Sequence, residues 1–130
     1  MTNEIINLSS EEFKIKNPIT FLNNCFVVNI NGNLILRKEE LFIKLKEDYS
    51  LPDVNGWDSI SDWLTDLSWI KASNFQLNIF NYSNFMSEDY NSKEIFLEVL
   101  SEDVLPFWET EVLTTVVEGV PKGFIVYCID

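Results

Sequence analysis

Three aspartates spaced four residues apart, Asp58, Asp62 and Asp66, are the residues whose type and spacing could do chemistry. At 100° per residue, each falls about 40° further round a helix than the one before, so they form a slowly turning row of carboxylates. Opposite them, Ile60, Trp63, Leu64 and Leu67 share an arc of roughly 100°, the width of a core-facing stripe. Such a row repels itself, because like charges four apart on a helix cost a few tenths of a kcal/mol per pair. No lysine or arginine relieves it. Between Glu47 and Ile70 the only charged residues are Glu47, Asp48, Asp53, Asp58, Asp62 and Asp66. Asp58, at the helix start, gains from the helix dipole, whereas Asp66, near its end, opposes it. The pattern fits either a solvated acidic face or a row of carboxylates shaped to enter a cationic cleft.

Other chemistries fit less well. The chain has no histidine, the usual general base and metal ligand. Paired aspartates do acid–base work in glycosidases, but Asp58 and Asp62 lie one turn apart on an exposed helix, with no pocket to split their pKa values. Asp53-Val54-Asn55-Gly56 begins like a calcium loop and lacks the later ligands, including the closing glutamate. There is no glycine-rich phosphate cradle and no zinc spacing. The expectation is a non-enzyme with no catalytic, cofactor-binding or metal-binding residues. The net charge is −12 and the pI about 4.2. That balance disfavours direct binding to nucleic acid or to an anionic membrane, and favours a basic protein partner.

The elements that must position the row can be read from hydrophobic pattern. At 130 residues and 46% hydrophobic content, one domain with a sizeable core is expected. Residues 1–20 are mixed and polar and are read as an N-terminal extension of uncertain order, leaving 21–130 as the domain. Residues 24–30 form an apolar strand-like run, and Asn31-Gly32 supplies a turn, after which 33–36 is read as a short hairpin arm. Leu41, Leu45 and Tyr49 mark one face of a helix over 38–49, ended by Leu51-Pro52. A second helix is expected over 57–67. Alternation over 75–80 predicts a strand. Ser92 is read as the N-cap of a helix that Pro106 kinks or ends near Trp108. Residues 110–117 are β-rich, which suggests an extra hairpin before a final strand, 124–129, apolar on both faces and so central. The order predicts an α/β domain with a small, mainly parallel sheet and right-handed crossovers. Cys25 and Cys128 fall in strand-like runs and are expected as reduced core thiols. The start of the chain lacks a signal-peptide pattern, and no run spans a membrane, so a cytoplasmic location is expected.

The run Trp57-Asp58-Ser59-Ile60-Ser61-Asp62-Trp63-Leu64-Thr65-Asp66-Leu67-Ser68-Trp69 resembles the acidic-helix signature of barstar-like ribonuclease inhibitors. Upstream, Ile30-Asn31-Gly32 through Leu51-Pro52 is similar to that family's turn, first helix and Leu-Pro step. The resemblance covers roughly 25–129. It implies a three-stranded parallel sheet flanked by helices. It also implies an immunity-type inhibitor, monomeric when free, whose helix aspartates mimic RNA phosphates in a toxin nuclease. Asp58 and Asp62 take those positions, with Asp62 the principal mimic. Thr65, Asp66, Asn55, Gly56 and Ser61 lie around them, and Glu102 stands for a further acid on the later helix. The chain departs from the family in the loop before the acidic helix, at Ser61, and over 110–122. A module that inhibits a different basic toxin, such as a deoxyribonuclease, or acts as a regulatory adaptor, is the alternative.

Overall fold

The computed structural model describes residues 2–16 and 24–130. The final strand, Gly123–Ile129, is buried along its whole length. It lies inside a four-stranded sheet whose other members are β1 (Glu4–Leu8), β2 (Cys25–Asn31) and β3 (Asn74–Phe80). With the final strand as β4, the order is β1-β4-β3-β2 and every pairing is parallel. A strand covered on both faces has no solvent side to mark with polar residues, which is why Phe124-Ile125-Val126-Tyr127-Cys128-Ile129 reads as an unbroken apolar run.

The expected α/β sheet is present with four strands, not three. The additional strand, β1, comes from the segment read as an extension. Its register pairs Glu4 with Ile125 and Leu8 with Ile129. Asn3 fastens its entry: the side chain donates to the carbonyls of Leu105 and Lys122 and accepts from the Phe124 amide at 2.9 Å. After β1, helix α1 (Ser10–Lys16) sets Phe13 edge-on to Phe80 and Tyr127, with ring centroids 5.3 and 5.7 Å away. This small cluster, with Leu8, Ile125 and Ile129, covers one face of β4. The end of the expected extension, residues 17–20, and the boundary at 20/21 lie outside the described residues.

The opposite face carries the main core. Helix α2 (Lys38–Tyr49) buries Leu41, Phe42, Leu45 and Tyr49, matching the four-residue recurrence and its bounds. Ser50 in the left-handed region and Pro52 end it. Helix α3 (Trp57–Leu64) follows, three residues shorter than expected. Residues 33–36 do not return as a hairpin arm. Gly32–Leu34 is a 3-10 turn, and a side chain at Gly32 would meet the Asn81 carbonyl oxygen at 2.4 Å. The exit of β2 thus crosses the exit of β3 too closely for any residue but glycine.

Two more expectations are corrected in the C-terminal third. Helix α4 (Tyr90–Glu98) is capped by Asp89 rather than Ser92, which is buried and gives its amide to the Asp89 carboxylate. Beyond α4 the helical path continues through π-helical turns at Val99–Val104 and Phe107–Glu111 into α5 (Val112–Thr115). Hydrogen bonds spanning five residues, Leu105 to Leu100 and Val112 to Phe107, flank Pro106, so the path passes the proline with wider turns. Residues 110–117 therefore form no extra hairpin. Their β-branched composition yields to burial of Phe107, Trp108 and Val112 along a helix already under way. Cys25 and Cys128 are free, and burial pushes the Cys128 thiol up to about 11. No helix among the described residues is long and apolar enough to cross a membrane.

Asp89 caps two helices with one carboxylate: it accepts from the Ser92 amide in α4 and from the Lys38 amide at the start of α2, at 3.3 and 3.2 Å. Burial acts to raise its pKa, but these hydrogen bonds prevail and hold it below the usual aspartate value. A depressed folded pKa stabilises the native state above the unfolded value near 4, and that contribution is lost as pH falls through the folded pKa. Asp89→Ala is therefore expected to cost about 1–2 kcal/mol at pH 7, with Asp89→Asn retaining most of it. Urea unfolding should show the alanine penalty shrinking as pH falls from about 5 towards 3.

Candidate functional site

Helix α3 is fixed by its apolar side. Ile60 and Leu64 are buried, and Leu67, just beyond, is inaccessible to solvent. Gly56 precedes the helix in extended backbone, and its carbonyl accepts from the Ile60 amide. At the far end the Thr65 hydroxyl donates to the carbonyls of Ser61 and Asp62 at 2.8 and 3.2 Å, tightening the last turn. The amides of Asp66 and Leu67 both reach the Trp63 carbonyl, and Leu67 turns the chain with a φ of 49°. A non-glycine residue there costs roughly 1–2 kcal/mol, which burial of a leucine side chain, worth about 1.5–3 kcal/mol, offsets.

The apolar side being fixed, Asp58, Asp62 and Asp66 face solvent. Asp58 and Asp62 are one turn apart on α3, and Asp66 stands in the turn just beyond its end. Two ion pairs occur among the described residues, Arg37–Glu88 and Lys44–Asp48, and neither involves this row. Asp66 does accept from the Ser68 amide at 3.2 Å.

The loop before α3 is held by a fourth acid with a different role. Asp53 accepts from the Ser59 hydroxyl at 2.9 Å and from the Trp63 indole at 3.4 Å, while Ser59 accepts from the Asn55 amide at 3.2 Å. Asn55 and Gly56 are thereby set beside Asp58, around a shallow depression with Trp57 and Ser59. Both Trp57 and Trp63 pack against the core, Trp57 lying edge-on to Phe42 at 4.9 Å.

Of the expected site residues, Asn55, Gly56, Asp58, Ser61, Asp62, Thr65 and Asp66 are brought onto α3 and its two ends. Glu102 is exposed on the first π-helical segment. Its neighbour Asp103, which sequence reasoning missed, makes the direct link to α3 by accepting from the Ser61 hydroxyl at 3.0 Å. Trp108 was also missed as a support: its indole donates to the Leu64 carbonyl at 2.9 Å. A signal for Asp103 was available in a second stretch without lysine or arginine, Glu94 to Pro121.

A groove lies elsewhere. It has a volume of about 440 Å³ and is lined by Leu34, Ile35, Ile43 and Phe80 with Glu40, Lys44 and Glu47, and no α3 residue lines it. Among the described residues, no group of three or more acidic or cysteine side chains is placed to hold a metal ion. The arrangement therefore offers a rigid, outward-facing array of anions.

The family model described as barstar (barnase inhibitor) matches residues 25–118, well over half of the chain and all of the acidic-helix region. No curated protein and no solved structure matches the chain.

The structure separates a supporting acid from displayed ones. Asp53→Ala should lower folding stability by about 1–2 kcal/mol, because it strips partners from the part-buried Ser59 hydroxyl and Trp63 indole. Asp62→Ala should leave stability within about 0.5 kcal/mol, as an exposed side chain without such partners. Urea midpoints of the two variants check this. Similar losses at both positions would contradict the division.

Proposed function

We propose that this chain, which belongs to the barstar family, inhibits a barnase-type ribonuclease by filling its cationic cleft with the carboxylates of α3. The observation that carries the reading is the exposed row of Asp58 and Asp62 on a helix whose opposite side is buried, continued by exposed Asp66 just past its end. A ribonuclease gathers lysine, arginine and histidine to hold the RNA backbone, and that positive potential attracts any rigid array of anions. Carboxylates on a helix occupy the site and offer nothing to cleave.

Asp62, central in the row, is the principal phosphate mimic in this reading, with Asp58 beside it and Asp66 nearer the rim. Asn55, Gly56, Ser61 and Thr65 supply polar contacts around them. Glu102 contributes from the neighbouring π-helical segment. Residues 21–130 are the inhibitory unit, and β1 adds its edge strand. Acting in the cytoplasm, such a protein would neutralise toxin that folds before export. Its net charge of −12 suits rapid capture, since complementary fields speed encounter by orders of magnitude.

Salt provides one test. Association with barnase, followed by stopped flow, should slow markedly between about 0.1 and 1 M salt as the Debye length falls from about 10 to about 3 Å. Dissociation should change far less. Association indifferent to salt would show that the acidic face serves solubility only.

The carboxylates should also differ from one another. Asp62→Ala leaves cations of the nuclease buried and unpaired, a loss of about 2–5 kcal/mol in affinity, a range to which barnase–barstar complexes themselves contributed. Asp66→Ala should cost under about 1 kcal/mol, as a screened surface charge does. Calorimetric titration of each variant against barnase, with thermal melts as a folding control, measures both. Equal small losses would refute the phosphate-mimic assignment, as would a large fall in the melting temperature of Asp62→Ala.

A further inference from the structure

Apolar side chains crowd one exposed place, the end of α5 and the loop after it. Leu113, Val116, Val117 and Val120 all face solvent, Val117 with 92% of its surface and Val120 with 64%. The loop is not a loose tail. The Val116 amide donates to the Val112 carbonyl, and the Gly119 amide to the Val116 carbonyl. A Cβ at Gly119 would stand 2.3 Å from the Val112 carbonyl oxygen, so the loop lies closely against α5. Its return is tied down where the Lys122 amide donates to the Trp108 carbonyl at 2.9 Å.

Trp108 thereby holds two things at once. Its backbone fixes the valine loop, and its indole fixes the Leu64 carbonyl at the end of the acidic helix. The two features border one depression of about 290 Å³. It is lined by Thr65, Asp66 and Ser68 from the end of the acidic helix, by Val116 and Val120 from the valine loop, and by Phe107 and Trp108. Glu118 and Lys122 complete its lining, the Lys122 ammonium lying over the Trp108 and Phe75 rings at 5.4 and 5.5 Å.

A body that brings a cation to Asp66 reaches the edge of this depression. The acidic helix alone is also too small to hold one. Its eight residues span about 12 Å, and a stable interface covers about 800 Å² on each partner. The polar contacts around it add only part of the remainder, and exposed apolar surface next to a charged face is suited to supply more. A second copy of this chain is disfavoured as the occupant, because two bodies each at −12 repel.

Building on the inhibitor reading above, we propose that the valine loop is a second contact of the same interface, taking an apolar patch that flanks the cationic cleft of the basic partner. The labour divides by range. The carboxylate row acts through its field before contact and speeds association, and its buried members also slow dissociation. The valines act only once water is expelled, so they add to how long the complex lasts and leave association unchanged.

The test is stopped-flow association and dissociation with barnase as the probe, comparing the wild-type chain, Asp62→Ala and the double variant Val117→Ser/Val120→Ser. Both valines are exposed, so the double variant should melt as the wild type does. Its dissociation should quicken about tenfold or more, with association within about twofold of wild type. Unchanged dissociation would overturn the proposal and leave the inhibitor reading standing. Wild-type protein that fails to bind barnase would overturn the inhibitor reading, and the proposal with it. Sedimentation showing a wild-type dimer that the valine substitutions dissociate would overturn it in favour of a second copy on the loop.

Discussion

Three carboxylates can be displayed together only if something else holds their helix, and here that is burial of Ile60, Leu64 and Leu67. Each contributes on the order of 1.5–3 kcal/mol, whereas repulsion between successive aspartates costs a few tenths. The apolar side wins by a wide margin, so the acidic side is free of structural duty. Support then comes from every direction: Asp53 from the preceding loop, Asp103 through Ser61, and Trp108 through the carbonyl of Leu64. A helix of eight residues would be marginal in isolation and is rigid only within this frame.

The chain's acids accordingly divide into two populations. Glu40, Asp53 and Asp89 are consumed by backbone amides, a hydroxyl and an indole, and act as caps and ties. Asp58 and Asp62 stand outward on α3, and Asp66 stands outward just beyond it while also accepting from the Ser68 amide. Composition cannot tell one population from the other, since a carboxylate serves as a cap or as a displayed charge equally well. Only the surrounding donors decide, and those are set by the fold.

This explains what could be read in advance. The strands at 25–31, 74–80 and 123–129 announce themselves through apolar runs, and α2 through its four-residue recurrence, because burial there is dense and local. The row on α3 is legible for the same reason, its charges and apolar residues separating cleanly around the wheel. Strand β1 is not. Glu4 and Asn7 interrupt its pattern, and its pairing partner lies more than a hundred residues away, beyond any local window. The segment 110–117 misleads because valine and threonine favour strands only when nothing else determines the backbone, and here a helix anchored by Phe107 and Trp108 runs into it. Asp103 is hidden beside Glu102, since spacing alone does not say which of two adjacent acids turns towards Ser61.

The placement of β4 between β1 and β3 has a consequence for how the molecule is made. Synthesis runs from the N-terminus at roughly 5–20 residues per second, so β1 waits on the order of ten seconds for the strand it pairs with. Until residues 123–129 emerge, the sheet lacks the inner strand that joins β1 to β3, and α2 and α3 have only β2 and β3 to rest on. The nascent chain thus carries an acidic helix with its apolar side incompletely covered, a state exposed to proteolysis and to chaperones. Long-range parallel pairing is also intrinsically slow to form. The delay between translation and competence is written into the strand order, and it sets how early after its own synthesis a copy of this protein becomes useful.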